Sequence, residues 1–272
     1  MASSAPLRDR VTILTGASSG IGRALALELA GAGARLVLAS RDQAALERVA
    51  AECARRGAPA LVQRTDVTRP EDCRALVERT VAELGRIDVL VHDAGLSMWA
   101  RFEDLEDLGL FERLMRVNLL GPVWLTHLAL PHLRRSRGRL VAVSSVTGLA
   151  GVPTRTAYSA SKHALVGFCD SLRVELAGTG VSVTVIYPDF VASEMRERAL
   201  GPDGKPLGRG HSPVQEEAVM SAETCARLCA RAIARRDREL LTSARSRLGR
   251  WLKLLAPGLV DRIAARAVSR GR

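Results

Sequence analysis

Tyr158 and Lys162 are the two side chains whose types and spacing best suit proton transfer. If both lie on one helix, four residues apart, they share a face of that helix. A phenol ordinarily titrates at about 10, so it is a poor proton relay at neutral pH. An ammonium beside it favours the phenolate and lowers that pKa. The pair therefore predicts a general acid and base for a carbonyl or an alcohol. The alternative is an ordinary amphipathic helix in which the two residues meet by chance.

A glycine-rich turn follows the first predicted strand, at 11–15. The turn, at 15–22, reads T-G-A-S-S-G-I-G, and helical spacing of apolar residues and a second strand at 35–39 follow it. Glycines at such a turn let backbone approach a diphosphate, which the N–H groups at the helix N-terminus then bind. The pattern predicts nucleotide binding in a βαβ unit. The predicted contacts are Gly16, Ser18, Ser19, Gly20, Ile21 and Gly22.

The end of the second strand predicts which nucleotide is bound. An acid at this position would bind the ribose 2′-hydroxyl of NAD, whereas an arginine suits a 2′-phosphate. Here the strand ends in Ser40 and Arg41. Asp42 follows, and we interpret it as the N-cap of the next helix, at 43–56. The sequence therefore predicts NADP(H) as the cofactor.

Strands and helices alternate along the rest of the chain. Alternation without a linker predicts one Rossmann-type, doubly wound parallel α/β sheet of about seven strands flanked by helices. A capping box is predicted at 68–71, where Thr68 would cap the third helix. We predict a single catalytic domain at 1–245 and a helical extension at 246–272. Glycine and proline interrupt a charged segment at 188–215, which we interpret as a mobile lid over the substrate. The further strands are predicted at 61–63, 88–92, 139–144, 181–187 and 239–241.

Composition limits the classes of protein that this chain can belong to. Of its 272 residues 47% are hydrophobic, enough for one sizeable core, and the net charge is +11. Such a charge indicates a nucleic-acid partner, an anionic membrane, or simply an arginine-rich composition. The arginines lie along helices without interleaved aromatic residues, so no nucleic-acid partner is predicted. The five cysteines include no CxxC pair and have no histidine at ligand spacing, which favours a reducing compartment and no metal site.

Two segments bear on where the protein resides. Residues 1–10 lack the apolar region of a signal peptide. The longest stretch without a charged residue, 117–133, is shorter than the ~20 apolar residues that a spanning helix needs. These segments predict a cytoplasmic protein that is at most peripheral at a membrane.

Four features stand in one order: the turn at 15–22, Asn118, Ser145, and Tyr158 with Lys162. At these spacings they resemble the short-chain dehydrogenase/reductase family over roughly residues 9–245. The resemblance implies the strand order 3-2-1-4-5-6-7. It also implies an active site beyond the carboxyl ends of the strands, where open sheets bind ligands.

The resemblance further implies a role for each residue of the site. Tyr158 resembles the acid and base that exchanges a proton with the substrate oxygen. Lys162 resembles the residue that lowers the tyrosine pKa and bonds the nicotinamide ribose. Ser145, rather than Ser144, matches the serine that hydrogen-bonds the substrate oxygen. Asn118 resembles the residue that holds a proton-relay water near the lysine.

Further cofactor contacts are implied in the same way. Asp66 resembles the carboxylate that accepts a hydrogen bond from the adenine amino group, with the Val67 backbone beside it. The remaining contacts implied are Asp93, Ala94, Gly95, Pro188, Val191 and Ser193.

Two positions depart from the family's usual pattern. Asp93 stands where members usually have asparagine, and an ionised carboxylate accepts hydrogen bonds but cannot donate one. Asp189 stands where a glycine usually follows Pro188. Since aspartate tolerates positive φ, we expect the turn to survive. A carboxylate near the nicotinamide carboxamide would nevertheless affect cofactor affinity.

The resemblance implies an NADPH-dependent carbonyl reductase or alcohol dehydrogenase. The basic, lidded C-terminal part is similar to that of members acting on steroids, retinoids or acyl lipids. The alternative is an NADPH-binding regulatory or scaffold protein with little turnover. Family likeness also implies a homodimer or homotetramer, joined through the helices near 105–133 and 157–177.

The tail at 245–272 is not required by the family core. It holds eight Lys or Arg and one acid, a net charge of +7. Leu248, Trp251, Leu252 and Leu255 recur at helical spacing, with basic residues on the opposite face. Such a helix suits the interface of an anionic membrane. The other interpretation, that this face packs on the protein itself or on a partner subunit, stays open.

Overall fold

The computed structural model describes residues 7–192, 194–195, 197–208 and 219–269, with side chains as far as residue 265. Its central feature is one parallel sheet of seven strands. The strands are β1 (Val11–Thr15), β2 (Arg35–Ser40), β3 (Ala60–Arg64), β4 (Val89–His92), β5 (Arg139–Val143), β6 (Ser182–Tyr187) and β7 (Glu239–Leu241). Their order is β3-β2-β1-β4-β5-β6-β7, so the predicted doubly wound sheet is confirmed.

Helices cover both faces of the sheet. In β1 successive side chains point to opposite faces, so Leu14 packs in one apolar cluster and Ile13 in the other. Each fully buried leucine in these clusters contributes about 1.5–3 kcal/mol. The helices within the described residues are α1 (Gly20–Gly31), α2 (Gln43–Ala54), α3 (Pro70–Leu84), α4 (Gly109–Met115), α5 (Gly121–Ser136), α6 (Thr156–Glu175), α7 (Ala222–Arg235), α8 (Ala244–Leu255) and α9 (Pro257–Ser269).

The register of β1 determines where the site forms. Thr15 pairs with Ala39 of β2 on one side and with His92 of β4 on the other. The carboxyl ends of the three strands are therefore level, and the turns after them meet at one edge of the sheet. The strand order reverses at β1, and open sheets bind ligands in the crevice that such a reversal leaves.

The N-termini of α2 and α3 are built differently. Asp42 caps α2 as predicted, because its carboxylate accepts a hydrogen bond from the Ala45 N–H at 2.9 Å. The capping box predicted at 68–71 is wrong. The N-cap of α3 is Arg69, which makes no side-chain cap bond, and the Thr68 hydroxyl donates to Asp66 instead. None of the described helices combines the length and the apolar composition that crossing a bilayer requires.

Candidate active site

Tyr158 and Lys162 are both buried on the first turns of α6. Ser145, which follows β5, lines the same cavity as Tyr158 and favours the ionised form of its phenol. The Lys162 Nζ lies 5.8 Å from the centre of the Tyr158 ring and donates a 2.9 Å hydrogen bond to the Val143 carbonyl. The structure therefore brings the predicted tyrosine, lysine and serine together at the end of β5.

The neighbouring serine has another partner. The Ser144 hydroxyl donates to the backbone carbonyl of Lys162 at 3.4 Å and is buried. The Ser145 hydroxyl accepts a hydrogen bond from the Thr147 N–H at 3.2 Å and also reaches Tyr158. Of the two serines, Ser145 is the one that acts on the pKa of the phenol.

The pKa of Tyr158 is raised above its ordinary value of 10.0 because the phenol is buried. The charge of Arg155 and the hydrogen bond with Ser145 act in the opposite direction. The role expected of Lys162 in lowering this pKa stays a prediction. The Lys162 ammonium is bonded to the Val143 carbonyl, and Arg155 is the cation that favours the phenolate.

Arg155 is a residue of the site that the sequence reasoning missed. Its guanidinium lies 4.0 Å from the centre of the Trp99 ring and 5.8 Å from that of Tyr158. It also donates a 3.2 Å hydrogen bond to the Ser97 hydroxyl. Its position three residues before Tyr158, one helical turn away, was the signal that could have revealed it.

Asn118 lies in a π-helical turn at 116–120, between α4 and α5. Its Nδ2 donates to the Leu96 carbonyl and to the Ser161 hydroxyl, both at 2.9 Å. Its Oδ1 accepts a hydrogen bond from the Leu96 N–H at 2.8 Å. The side chain thus joins the turn to the loop after β4 and to α6, and single π turns are frequent at functional sites. Its role in holding a water stays a prediction.

The glycine-rich turn after β1 leaves no room for side chains at two positions. A Cβ at Gly16, where φ is +73°, would lie 2.6 Å from the Ala94 nitrogen. One at Gly22 would lie 2.2 Å from the Gly16 carbonyl oxygen. Ser19 is the N-cap of α1 and makes no side-chain cap bond there. The first-turn N–H groups beside Ser18, Gly20 and Ile21 are therefore placed to bind a diphosphate.

The residues predicted around the adenosine lie beyond β2 and β3. Ser40 ends β2 and Arg41 is exposed beside it. Burial alone would raise the pKa of Asp66. Two hydrogen bonds from Thr68 and the charges of Arg41 and Arg69 hold that pKa below its usual value of 3.8 instead. Val67 is buried, and a Cβ on Gly121 would meet its carbonyl oxygen at 2.8 Å.

A cavity of about 330 Å³ opens beside Tyr158. Its volume is in the range of pockets that bind small molecules. Polar side chains of the predicted site line part of this cavity, and the rest of its surface is mostly apolar. The apolar residues of that wall are Ile21, Val143, Val146, Val152, Pro153, Pro188, Phe190, Val191, Met195 and Ala264.

Comparison with known proteins agrees with this geometry. The family model described as short chain dehydrogenase matches residues 10–201. The chain belongs to this family.

Among its relatives in the family are two plant proteins, each named 11-beta-hydroxysteroid dehydrogenase A. The one from Sesamum indicum is 36% identical and the one from Arachis hypogaea 38% identical, each over 93% of this chain and 73% of the relative. A crystal structure of a short-chain dehydrogenase/reductase from Burkholderia phymatum in complex with NAD has a TM-score of 0.79 and 28% identity. The match covers 92% of this chain and 96% of that one.

Asp93, where short-chain dehydrogenases usually have asparagine, is half-buried, and its side chain lies against Gly22. Burial raises its pKa to about 7, although the Lys162 charge and the Gly22 N–H oppose the rise. Burial likewise lowers the pKa of Lys162 to about 8, against the pull of Asp93. The Asp93 and Ala94 N–H groups both donate to the Thr15 hydroxyl at 3.2 Å. The backbone thus keeps the turn, and the side chain lies against Gly22 with the charge of Lys162 acting on it.

The Asp93→Asn variant should gain stability relative to the wild type as the pH rises from about 5 to about 8. The folded pKa of Asp93 is raised, so its stabilising contribution is complete below 3.8 and is lost as the pH rises through about 7. Asparagine carries no such loss, and we expect a relative gain on the order of 2 kcal/mol. Urea denaturation of both proteins at both pH values measures it.

The exposed Asp104→Asn is the matched control and should show no such dependence on pH. If the stability difference between the wild type and Asp93→Asn is the same at both pH values, the pKa of the Asp93 carboxyl is not raised and the prediction is contradicted.

Asp189, the second departure from the family pattern, turns toward the tail. Its carboxylate accepts hydrogen bonds from Arg245 at 2.8 and 3.1 Å and from the Ser243 hydroxyl at 2.7 Å. The turn at Asp189 needs no positive φ. Asp189 instead presents its N–H to the Thr242 hydroxyl at 3.0 Å. The carboxylate is therefore held by the Arg245 guanidinium. Neither the sequence nor the family pattern had indicated this ion pair.

The segment interpreted as a lid is only partly described. Pro188 and Val191 line the cavity, as does Met195, whereas Ser193 lies outside the described residues. Leu200 forms isolated bridges with Met98 and Pro206, which tie this part of the segment to the loop after β4. The mobility of the lid stays a prediction.

Proposed function

We propose that this short-chain dehydrogenase transfers hydride between NADP(H) and a carbonyl or secondary alcohol of a lipophilic substrate. The observation that carries the proposal is that Ser145 and Tyr158 line the same largely apolar cavity. A polar pair in an apolar pocket suits a substrate with one reacting oxygen on a hydrocarbon frame. The hydroxysteroid dehydrogenase names of the plant relatives support a steroid-like substrate.

The residues of the site divide the chemistry among them. Bound NADP(H) supplies or takes up the hydride. The Ser145 hydroxyl holds the substrate oxygen, and the Tyr158 hydroxyl donates a proton to it in reduction or accepts one in oxidation. Arg155 favours the phenolate form of Tyr158 by its charge. Lys162 on the same face of α6 is the proposed partner of the nicotinamide ribose.

The turn after β1 fits a dinucleotide. The close approaches at Gly16 and Gly22 make the cradle that a diphosphate needs. The solved relative contains NAD, so the preference for NADP(H) in this chain rests on Ser40 and Arg41. An exposed guanidinium at this position can form a charge-assisted bond with a 2′-phosphate.

The Arg41→Ala variant should weaken NADPH binding by about 1.5–3 kcal/mol, the range for hydrogen bonds to charged groups. NADH affinity should hardly change, because NADH lacks the phosphate. Fluorescence titration with both cofactors measures the difference. Arg48→Ala removes another exposed arginine, on α2, and should alter neither affinity. Equal losses for both cofactors in Arg41→Ala would make Arg41 structural and remove the basis for NADP(H).

The alternative of a regulatory or scaffold protein is not favoured. Its main support was the pair of departures at Asp93 and Asp189. Asp93 lies against Gly22 and Asp189 bonds Arg245, so neither departure removes a proton-transfer residue. We also propose a reducing, cytoplasmic compartment, which the five free, buried cysteines support. Exposed apolar side chains at Leu108 and Val174 support the proposed homo-oligomer.

A further inference from the structure

The tail, defined here as α8 and α9, is attached to the domain by polar and basic side chains. Arg245, at the start of α8, pairs with Asp189 at 2.8 Å. Arg250 pairs with Glu239 of β7. The Lys253 Nζ donates a 2.9 Å hydrogen bond to the Leu149 carbonyl. Three of the four basic side chains of α8 therefore contact the domain, and the fourth, Arg247, is exposed.

The apolar side of the tail is exposed. The exposed fractions in α8 are 68% for Leu248, 64% for Trp251, 68% for Leu254 and 82% for Leu255. Leu252, predicted on the same face, is half-buried. A helix that packs on its own domain buries its apolar stripe and exposes its charges. In α8 the arrangement is reversed, so the interpretation in which this face packs on the chain's own domain is wrong.

The charge of the tail indicates what covers this face. Arg247 and Arg262 are exposed along α8 and α9, whose six Lys or Arg and one acid give the tail a net charge of +5. A two-fold contact between identical tails would bring like charges together, which costs binding energy. An anionic lipid surface complements both the cations and the apolar side chains, and tryptophan is enriched at membrane interfaces.

We infer that the tail is a peripheral binding surface for an anionic phospholipid bilayer. Leu248, Trp251, Leu254 and Leu255 enter the interface, and the exposed arginines meet the headgroups. Arg245 and Ala264 also line the cavity beside Tyr158, so the bilayer-binding surface borders the mouth of the proposed substrate site. Membrane binding itself does not depend on the proposed function. The suggestion that the bilayer supplies a lipophilic substrate to this site does rest on the proposed function.

The test is co-sedimentation of the full chain with vesicles of phosphatidylcholine and phosphatidylglycerol in equal parts at low salt. We expect binding that falls as salt is added or phosphatidylglycerol is left out. Trp251→Glu combined with Leu255→Glu should reduce the partition coefficient by about tenfold or more. Arg247→Ala should reduce it by about fivefold. Phe102→Glu places a glutamate at an exposed apolar residue outside the tail, with an exposed fraction of 59%, and should bind like the wild type.

Two results with the full chain would overturn the inference: no sedimentation with these vesicles, and equal binding to neutral vesicles. Two results with the double variant would also overturn it. One is continued binding to the vesicles, and the other is dissociation of the oligomer on size exclusion, which would assign the face to a second copy. NADPH affinity and turnover of a water-soluble ketone should stay unchanged in the double variant. If the wild type also fails to turn over this ketone, the proposed function is contradicted, and the vesicle result still stands.

Discussion

Replacing Tyr158 by phenylalanine should lower kcat by about 10²–10⁴-fold, the range that a positioned acid and base contributes. The change removes only the hydroxyl that exchanges a proton with the substrate oxygen. The ring stays buried on α6, so the fold and the affinity for NADPH should be kept. Steady-state rates with any accepted ketone and fluorescence titration of the cofactor measure the two effects.

The chain offers a matched control for this variant in its other tyrosine. Tyr187 ends β6 and is equally buried, but it does not line the cavity. Tyr187→Phe makes the same chemical change and should leave kcat within about twofold of the wild type. A Tyr158→Phe variant that keeps more than about a tenth of the wild-type kcat would contradict the assignment of Tyr158 as acid and base.

Replacing Lys162 by methionine should lower both kcat and the affinity for NADPH. We expect roughly a hundredfold loss in rate and about tenfold in affinity, since this one ammonium has two proposed tasks. Methionine fills nearly the same volume, which limits the cavity that alanine would leave. Loss of the cation also leaves the Asp93 carboxyl without the charge that opposes the rise in its pKa.

The coupling with Asp93 provides the control for Lys162→Met. At pH 8 the single variant Lys162→Met keeps the Asp93 charge without the ammonium that opposes it, so it should be less stable than the wild type. The double variant Lys162→Met with Asp93→Asn has no charge at either position, so it should be more stable than Lys162→Met at that pH. Its kcat and NADPH affinity should not recover, because the ammonium is still missing. Recovery of the rate in the double variant would show that Lys162 acts by stabilising the fold and has no part in catalysis.

The sheet could be predicted because its signals are local. Apolar runs such as 11–15 are bounded by turns, and the strand order followed from the resemblance that Tyr158 and Lys162 carried. The N-cap at Asp42 was likewise local. The capping box failed because Asp66, two residues earlier, takes the Thr68 hydroxyl.

What could not be predicted depends on contacts between distant parts of the chain. The Asp189 carboxylate meets Arg245, which is 56 positions away, and no local pattern reports such a pairing. The π turn at 116–120 is set by the bonds of Asn118 to Leu96 and Ser161. Periodicity revealed the apolar face of α8, but only the ion pairs on its basic side show which face is turned outward.

A deuterium-transfer measurement tests the proposed hydride transfer most directly. NADPH deuterated at the transferable position of its nicotinamide is incubated with the protein and a ketosteroid, and the product is examined by mass spectrometry. The account predicts an alcohol with one deuterium on its carbinol carbon, formed by the wild type and by Tyr187→Phe, and nearly absent with Tyr158→Phe. Several ketosteroids that yield no deuterated alcohol, with a protein that binds NADPH, would contradict it and favour the regulatory alternative.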